Sequence, residues 1–210
     1  MTLGITVLWM LLLTAPDEGW QQTGKSDGIT VSSREKKDSK VLEMRAVALI
    51  DAPPAAVWHT VRNYDHFQET MPYVETGKVL VRESNDQVIY FYGVVDTPLG
   101  SKRDYIIKLV NETPDDGSGA YKVSWTASEK GPAPKDGFVR VTLNDGSWTL
   151  DPREDGKKTW VTYYVYTDPG GSIPNWIINR GNATAVAKVL KAVRETTLKA
   201  SVADGGTSSR

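Results

Sequence analysis

The chain has no cysteine. That absence excludes disulfides, thiolate metal sites, a cysteine nucleophile and a lipid-modified N-terminal cysteine together. Histidine is nearly as scarce. The only two, His59 and His66, stand about two helical turns apart, too far to share a metal ion. No metal site is expected. Charge of one sign is also lacking: 25 Lys and Arg against 26 Asp and Glu leave a net charge of −1, which gives no general pull toward nucleic acid or acidic lipid. There is no Gly-x-x-x-x-Gly-Lys phosphate loop and no serine nucleophile elbow, so neither a cofactor nor a catalytic residue is expected.

No uninterrupted apolar run is long enough to cross a bilayer. Leu3–Leu13 (LGITVLWMLLL) falls well short of the roughly 20 residues a spanning helix needs. It fits the core of a secretory signal peptide, although no Lys or Arg precedes it and Pro16 follows the small residue Ala15. Residues 1–19 are read as a signal peptide and leader, and the expected location is the periplasm or outside the cell, with the cytoplasm as the alternative. Residues 20–200 are read as one domain and residues 201–210 as a disordered tail. Gln21–Asp27 is polar and reads as a second soft segment.

What the chain has in quantity is amphipathic ring: seven Trp and nine Tyr against three Phe. Each offers a large apolar face with one polar tip. Strand patterns open the domain at Gly28–Arg34 and Val41–Ile50. Asp51 caps a helix, Pro53 and Pro54 suit its first turn, and Val57, Trp58, Val61 and Tyr64 give it one apolar face up to Pro72. Strands follow at 78–82, 87–95, 103–111, 120–127, 138–143, 147–150 and 159–167. Ser84-Asn85-Asp86, Asn144-Asp145-Gly146 and Asp155-Gly156 read as hairpin turns between them. From Ser172 the period becomes helical: Trp176, Asn179, Ala183, Val186, Leu190, Val193 and Thr197 form one stripe over six turns. Its only partner of sufficient size is the inside of the curved sheet. One helix, about 10 Å wide, does not fill that hollow, so what remains is a cavity or packed core. The class is α+β.

Six fragments in this order resemble the StAR-related lipid-transfer (START) domains of the helix-grip, or SRPBCC, superfamily. They are Gly28-Ile29-x-Val31 with Arg34, Asp51-Ala52-Pro53 with Val57, Met71-Pro72-Tyr73-Val74, Arg103-Asp104-Tyr105, Gly137-x-Val139-Arg140, and Asp168-Pro169-Gly170-Gly171-x-Ile173-Pro174. The resemblance covers about Trp20 to Lys199. It implies a helix-grip fold, a curved antiparallel sheet around a long C-terminal helix, with an internal apolar cavity. It also implies a partner: a sterol, phospholipid or other lipid, bound by a monomer that touches membranes transiently and is no enzyme. Some sterol-binding members carry an inward Arg where this chain has Leu109, so a ligand hydroxyl here needs a tyrosine or Arg140. The same superfamily includes polyketide cyclases and aromatases and ubiquinone-binding modules, which are the alternatives.

On strand 159–167, Trp160, Thr162, Tyr164 and Tyr166 share one face and Val161, Tyr163 and Val165 the other. Tyr90 and Tyr92 oppose Phe91 in the same way, and Tyr121, Val123 and Trp125 share a third face. The expected ligand-binding set is Tyr90, Tyr92, Tyr105, Leu109, Trp125, Arg140 and Tyr164 on the sheet, with Trp176, Asn179, Val186 and Leu190 on the helix. Leu99, Gly100, Gly170 and Gly171 are expected to form lid loops. Arg103 and Asp104, as strand neighbours, are expected to point to opposite faces and to pair separately across the sheet.

Overall fold

The computed structural model describes residues 19–96 and 101–206. All but the last residue of the expected leader 1–19, the lid positions Leu99 and Gly100, and residues 207–210 lie outside the described residues. The order is β1 (Gln21–Ser26), β2 (Ile29–Arg34), β3 (Glu43–Ile50), α1 (Pro54–Val61), a 3-10 turn (Tyr64–His66), α2 (Phe67–Thr70), β4 (Val74–Glu83), β5 (Val88–Val95), β6 (Arg103–Asn111), β7 (Tyr121–Ala127), β8 (Val139–Val141), β9 (Leu143–Arg153), β10 (Lys158–Asp168) and α3 (Asn175–Gly206). The strands form one sheet in the order β1-β2-β3-β10-β9-β7-β6-β5-β4, so the two ends of the domain meet at its centre. These neighbours are antiparallel. β8 alone lies off this path and pairs with β6 in parallel.

α3 lies against the concave face and packs on β2, β3, β10 and α1. Its buried positions are Ile178, Val186, Leu190, Val193 and Thr197, all at 3% exposure or less. Burying each Val or Leu there is worth about 1.5–3 kcal/mol. The stripe begins at Ile178, which packs with Val41 and Tyr166, rather than at Trp176, which is 67% exposed. A buried hydroxyl pair, Thr197 Oγ1 donating to Thr60 Oγ1 at 2.9 Å, ties α3 to α1. The helix runs on to Gly206, through the first residues of the expected tail. Ser201, Val202 and Ala203 contain no helix breaker, and Ser201 Oγ donates back to Thr197 O at 3.0 Å.

Three further expectations are corrected. Gln21–Ser26 is an edge strand. Asp27 and Gly28 both take positive φ, 51° and 72°, which suits a tight hairpin turn and folds the polar segment back on β2. The first helix stops at Val61, with Pro53 rather than Asp51 at its cap. Asn144-Asp145-Gly146 is no turn: β9 runs straight through it from Leu143 to Arg153. Gly146 is needed there for space, since a Cβ would sit 2.1 Å from Trp125 Cζ2. The Asp155-Gly156 and Ser84-Asn85-Asp86 turns are present, with positive φ at each of these residues.

Candidate functional site

Strand alternation builds the site. On β6, Arg103, Tyr105, Ile107 and Leu109 face inward; β7 adds Val123 and Trp125, β9 adds Asn144 and Trp148, and β10 adds Tyr163, Val165 and Thr167. Asn182, Ala185, Val186 and Val189 of α3 form the roof. Val61, Tyr64, Phe67, Met71 and Tyr73 close the side. These groups enclose a cavity of about 260 Å³. Its wall follows β6 from Arg103 to Leu109, which at about 3.3 Å per residue is roughly 20 Å. The cavity is therefore a narrow slot.

Ring packing shapes its floor. Trp148 stacks on Tyr163 with centroids 4.1 Å apart and an 18° interplanar angle, and Trp125 leans on Tyr163 at 6.1 Å. Tyr105 lies flat against β5 because residue 93 is glycine; a Cβ there would fall 2.4 Å from the Tyr105 hydroxyl. Burial raises the pKa of both Tyr105 and Tyr163, and the neighbouring Tyr105 raises that of Tyr163 further. Burial likewise pushes Tyr64 up to about 12. All three hydroxyls stay protonated at physiological pH.

Polar groups gather at one end. Thr167 and Asn144 are paired across β10 and β9. Asn144 Oδ1 accepts from Trp125 Nε1 at 3.4 Å, and Asn182 Nδ2 donates to Thr167 O at 3.0 Å. Arg103, 3% exposed, donates from Nη1 to Ser101 O. Above it the loop after β10 turns through Gly170 and Gly171, with φ of 69° and 79°. Asp168 Oδ1 accepts from Gly170 N at 2.9 Å, and a Cβ at 171 would lie 4.0 Å from Arg103 Nη2. Among the described residues no cluster of His, Asp or Glu is placed to hold a metal ion. Nor is any described helix long and apolar enough to cross a membrane.

Of the expected ligand-binding residues, Tyr105, Leu109, Trp125 and Val186 line this cavity. Tyr90, Tyr92, Arg140 and Tyr164 do not, because each lies on the convex side. Tyr90 packs under Lys130, and Tyr92 Oη donates to Asp104 at 3.4 Å. Arg140 makes a two-pronged bond to Asp104, Nε to Oδ1 at 2.8 Å and Nη2 to Oδ2 at 2.9 Å. Tyr164 Oη donates to Glu43 Oε1 at 2.8 Å. Asn179 Oδ1 accepts from Leu42 N at 3.0 Å, Leu190 is core, and Trp176 is exposed. Arg103 and Asp104 do point to opposite faces. The sequence reading missed Arg103, Trp148 and Tyr163. The missing signal was phase: Arg103 shares parity with Tyr105 and Leu109, which had been singled out.

The sequence matches the model of the START domain over residues 8–201. It is 28% identical over 184 residues to a phosphatidylcholine transfer protein of Mus musculus, covering 85% of this chain and 83% of that protein. A solved StAR-related lipid transfer protein fragment from Xanthomonas axonopodis is 30% identical, with a TM-score of 0.76 over 86% of this chain and 99% of that one. An aromatase/cyclase from Streptomyces shares the fold at 15% identity, with a TM-score of 0.53 over 75% of this chain and 93% of that one.

Proposed function

The chain belongs to the START domain family, whose members bind lipids and other apolar ligands, and from that premise we propose that it holds one lipid in the slot beneath α3 and carries it between membranes unchanged. The observation that carries this reading is the slot itself: about 260 Å³, walled mainly by aromatic and aliphatic side chains, with Arg103, Asn144, Thr167 and Asn182 its non-aromatic polar lining. A buried methylene gains ~0.8 kcal/mol on leaving water, and the bilayer already supplies that gain. Tail transfer is thus nearly balanced, and selection falls to Arg103, Asn144 and Asn182 and to the shape of the slot.

Catalysis by cyclisation asks for a proton acceptor working near neutral pH. The described lining has no His, Asp, Glu, Lys or Cys, and burial holds Tyr105 and Tyr163 protonated. This favours carriage over chemistry. Exchange with a membrane is assigned to the Gly170–Gly171 loop and to Trp176, an exposed ring of the type that settles at bilayer interfaces. The carrier acts as a monomer, after export and loss of the leader 1–19. An intact mass of the native protein that still includes the leader would remove that last element.

The test is to purify the protein, extract it with organic solvent and identify the released molecule by mass spectrometry. One lipid class in near-equal molar amount is expected. The recovered lipid should then move between vesicles faster with protein than without, and Trp176→Ala should slow that movement without weakening binding. No recovered lipid, and no binding when lipids are titrated, overturns the reading.

A further inference from the structure

The slot has a second, smaller neighbour. A niche of about 80 Å³ lies at the far end from Arg103, with Arg62, Asn85, Asp86 and Asn111 among its lining. Tyr64, Leu109 and Val123 line both spaces, so these three side chains form the partition between them. All are buried, at 4%, 5% and 1% exposure. Leu109 sits between Ile89 of β5 and Trp125 of β7 in the sheet register.

The two sides of the partition differ in chemistry. Toward the slot lie apolar and aromatic groups. Toward the niche lies an ionic clasp: Asp86 Oδ2 is 3.1 Å from Arg82 Nη1 and 3.6 Å from Arg62 Nη2, and Arg82 Nη2 is 2.8 Å from Asp65 Oδ2. The clasp pins the β4–β5 turn, where Ser84, Asn85 and Asp86 all take positive φ, beside α1 and the 3-10 turn. An alkyl chain pushed past Leu109 would strip water from these charged groups without replacing their hydrogen bonds, which is unfavourable.

We propose that Leu109, with Tyr64 and Val123, is the end stop of the slot and sets the longest acyl chain the protein accepts. The proposal rests on the carrier reading and adds to it a specificity-determining residue. The apolar end of the ligand meets Leu109, and its polar end stays with Arg103, at the other end of the β6 wall.

A homologous series of saturated 1-monoacylglycerols of increasing chain length, titrated below their aggregation concentrations, tests this. In the wild type, affinity should rise about fourfold per added carbon and then stop rising at one length. Leu109→Ala removes three side-chain carbons, so the break should move to chains about three carbons longer. Leu109→Phe should move it to shorter chains. If Leu109→Ala fails to fold by circular dichroism, Val123→Ala opens the same partition from β7 and should lengthen the limit too. A break at the same length in every folded variant overturns the end stop and leaves the carrier reading standing. A wild type that binds no member of the series, nor any other lipid, overturns both.

Discussion

The inner and outer walls of the sheet are both rich in aromatic rings, but the rings are completed by different partners. Inside, ring meets ring: Trp148 on Tyr163, Trp125 on Tyr163, Phe91 on Tyr105 and on Phe67. Outside, ring meets cation: Lys130 Nζ lies 4.2 Å from the centroid of Tyr90, and Lys36 Nζ lies 3.9 Å from that of Tyr166. Trp20, beside Tyr164, has the guanidiniums of Arg34 and Arg45 at 4.6 and 4.4 Å. A cation over a ring keeps its own hydration on the solvent side, which suits a surface. Rings stacked on one another leave an apolar face toward a guest. Partner type, rather than ring count, separates the lipid wall from the weather side of the same strands.

The sharpest way to break this division is at the outer ion pair. Asp104 is fully buried and Arg140 is 16% exposed, under the 128–138 loop whose Pro132 carbonyl also accepts from Arg140. Asp104→Ala leaves the guanidinium uncompensated and should cost about 3 kcal/mol, read by denaturant unfolding. Ligand affinity should not change, because the pair faces away from the slot. The hydrogen bond from Arg140 holds the Asp104 carboxyl below its ordinary value of 3.8. Its contribution is therefore complete above that value and lost as pH falls through the lower, folded one. The gap in stability between wild type and Asp104→Ala should be widest near neutrality and narrow in acid. A gap that is constant with pH would mean the pair is not ionised in the fold.

These walls explain what was legible. The order of elements, the long terminal helix and the turns at 84–86 and 155–156 follow from local signals, namely period, capping and turn residues. The facing of the strands does not. On β10, Tyr163 points to the slot and Tyr164 to Glu43, and both residues look alike in a pattern of alternating rings. A cation supplied from far along the chain, Lys130 over Tyr90 or Lys36 over Tyr166, lets the outer face carry rings as well. Gly146 misled for a related reason: Asn-Asp-Gly states a turn locally, and only the Trp125 ring from the next strand requires a glycine inside a continuous strand. Because Leu109 stands where some sterol-binding members carry an inward arginine, Arg140 was placed in the ligand set as a partner for a ligand hydroxyl. Its partner Asp104, on a strand that pairs with it in parallel, is invisible from its own neighbourhood.

A smaller effect is expected from the inner wall. Gly146→Ala puts a methyl group where the Trp125 ring lies, and the ring must tilt or the strands must part. Overpacking of this kind costs about 1–3 kcal/mol. Unlike the Asp104 variant, this one should also weaken binding of the lipid recovered from the protein, because Trp125 lines the slot and Tyr163 rests against it. Titration of that lipid and the tryptophan emission maximum would report both. Lost stability with untouched affinity would remove Trp125 from the ligand wall.

The smallest effect belongs to a single outer cation. Lys36 is exposed and makes no salt bridge within the described residues, while Tyr166 beneath it is 9% exposed. Lys36→Ala should cost about 0.5–1 kcal/mol, the range for a cation over a ring at an exposed site. Lys36 also draws the carboxyl of Glu43 downward, after the larger influences of burial, Arg34 and Tyr164, so part of the loss is long-range and should fade with added salt. Lipid affinity and exchange rate should match the wild type, since Tyr166 shares its face with Tyr164 and not with Tyr163. An altered affinity at so small a cost in stability would mean that the outer rings sense the slot, and the division between a ligand wall and a cation-covered wall would then fail at β10, the strand where the two stand closest.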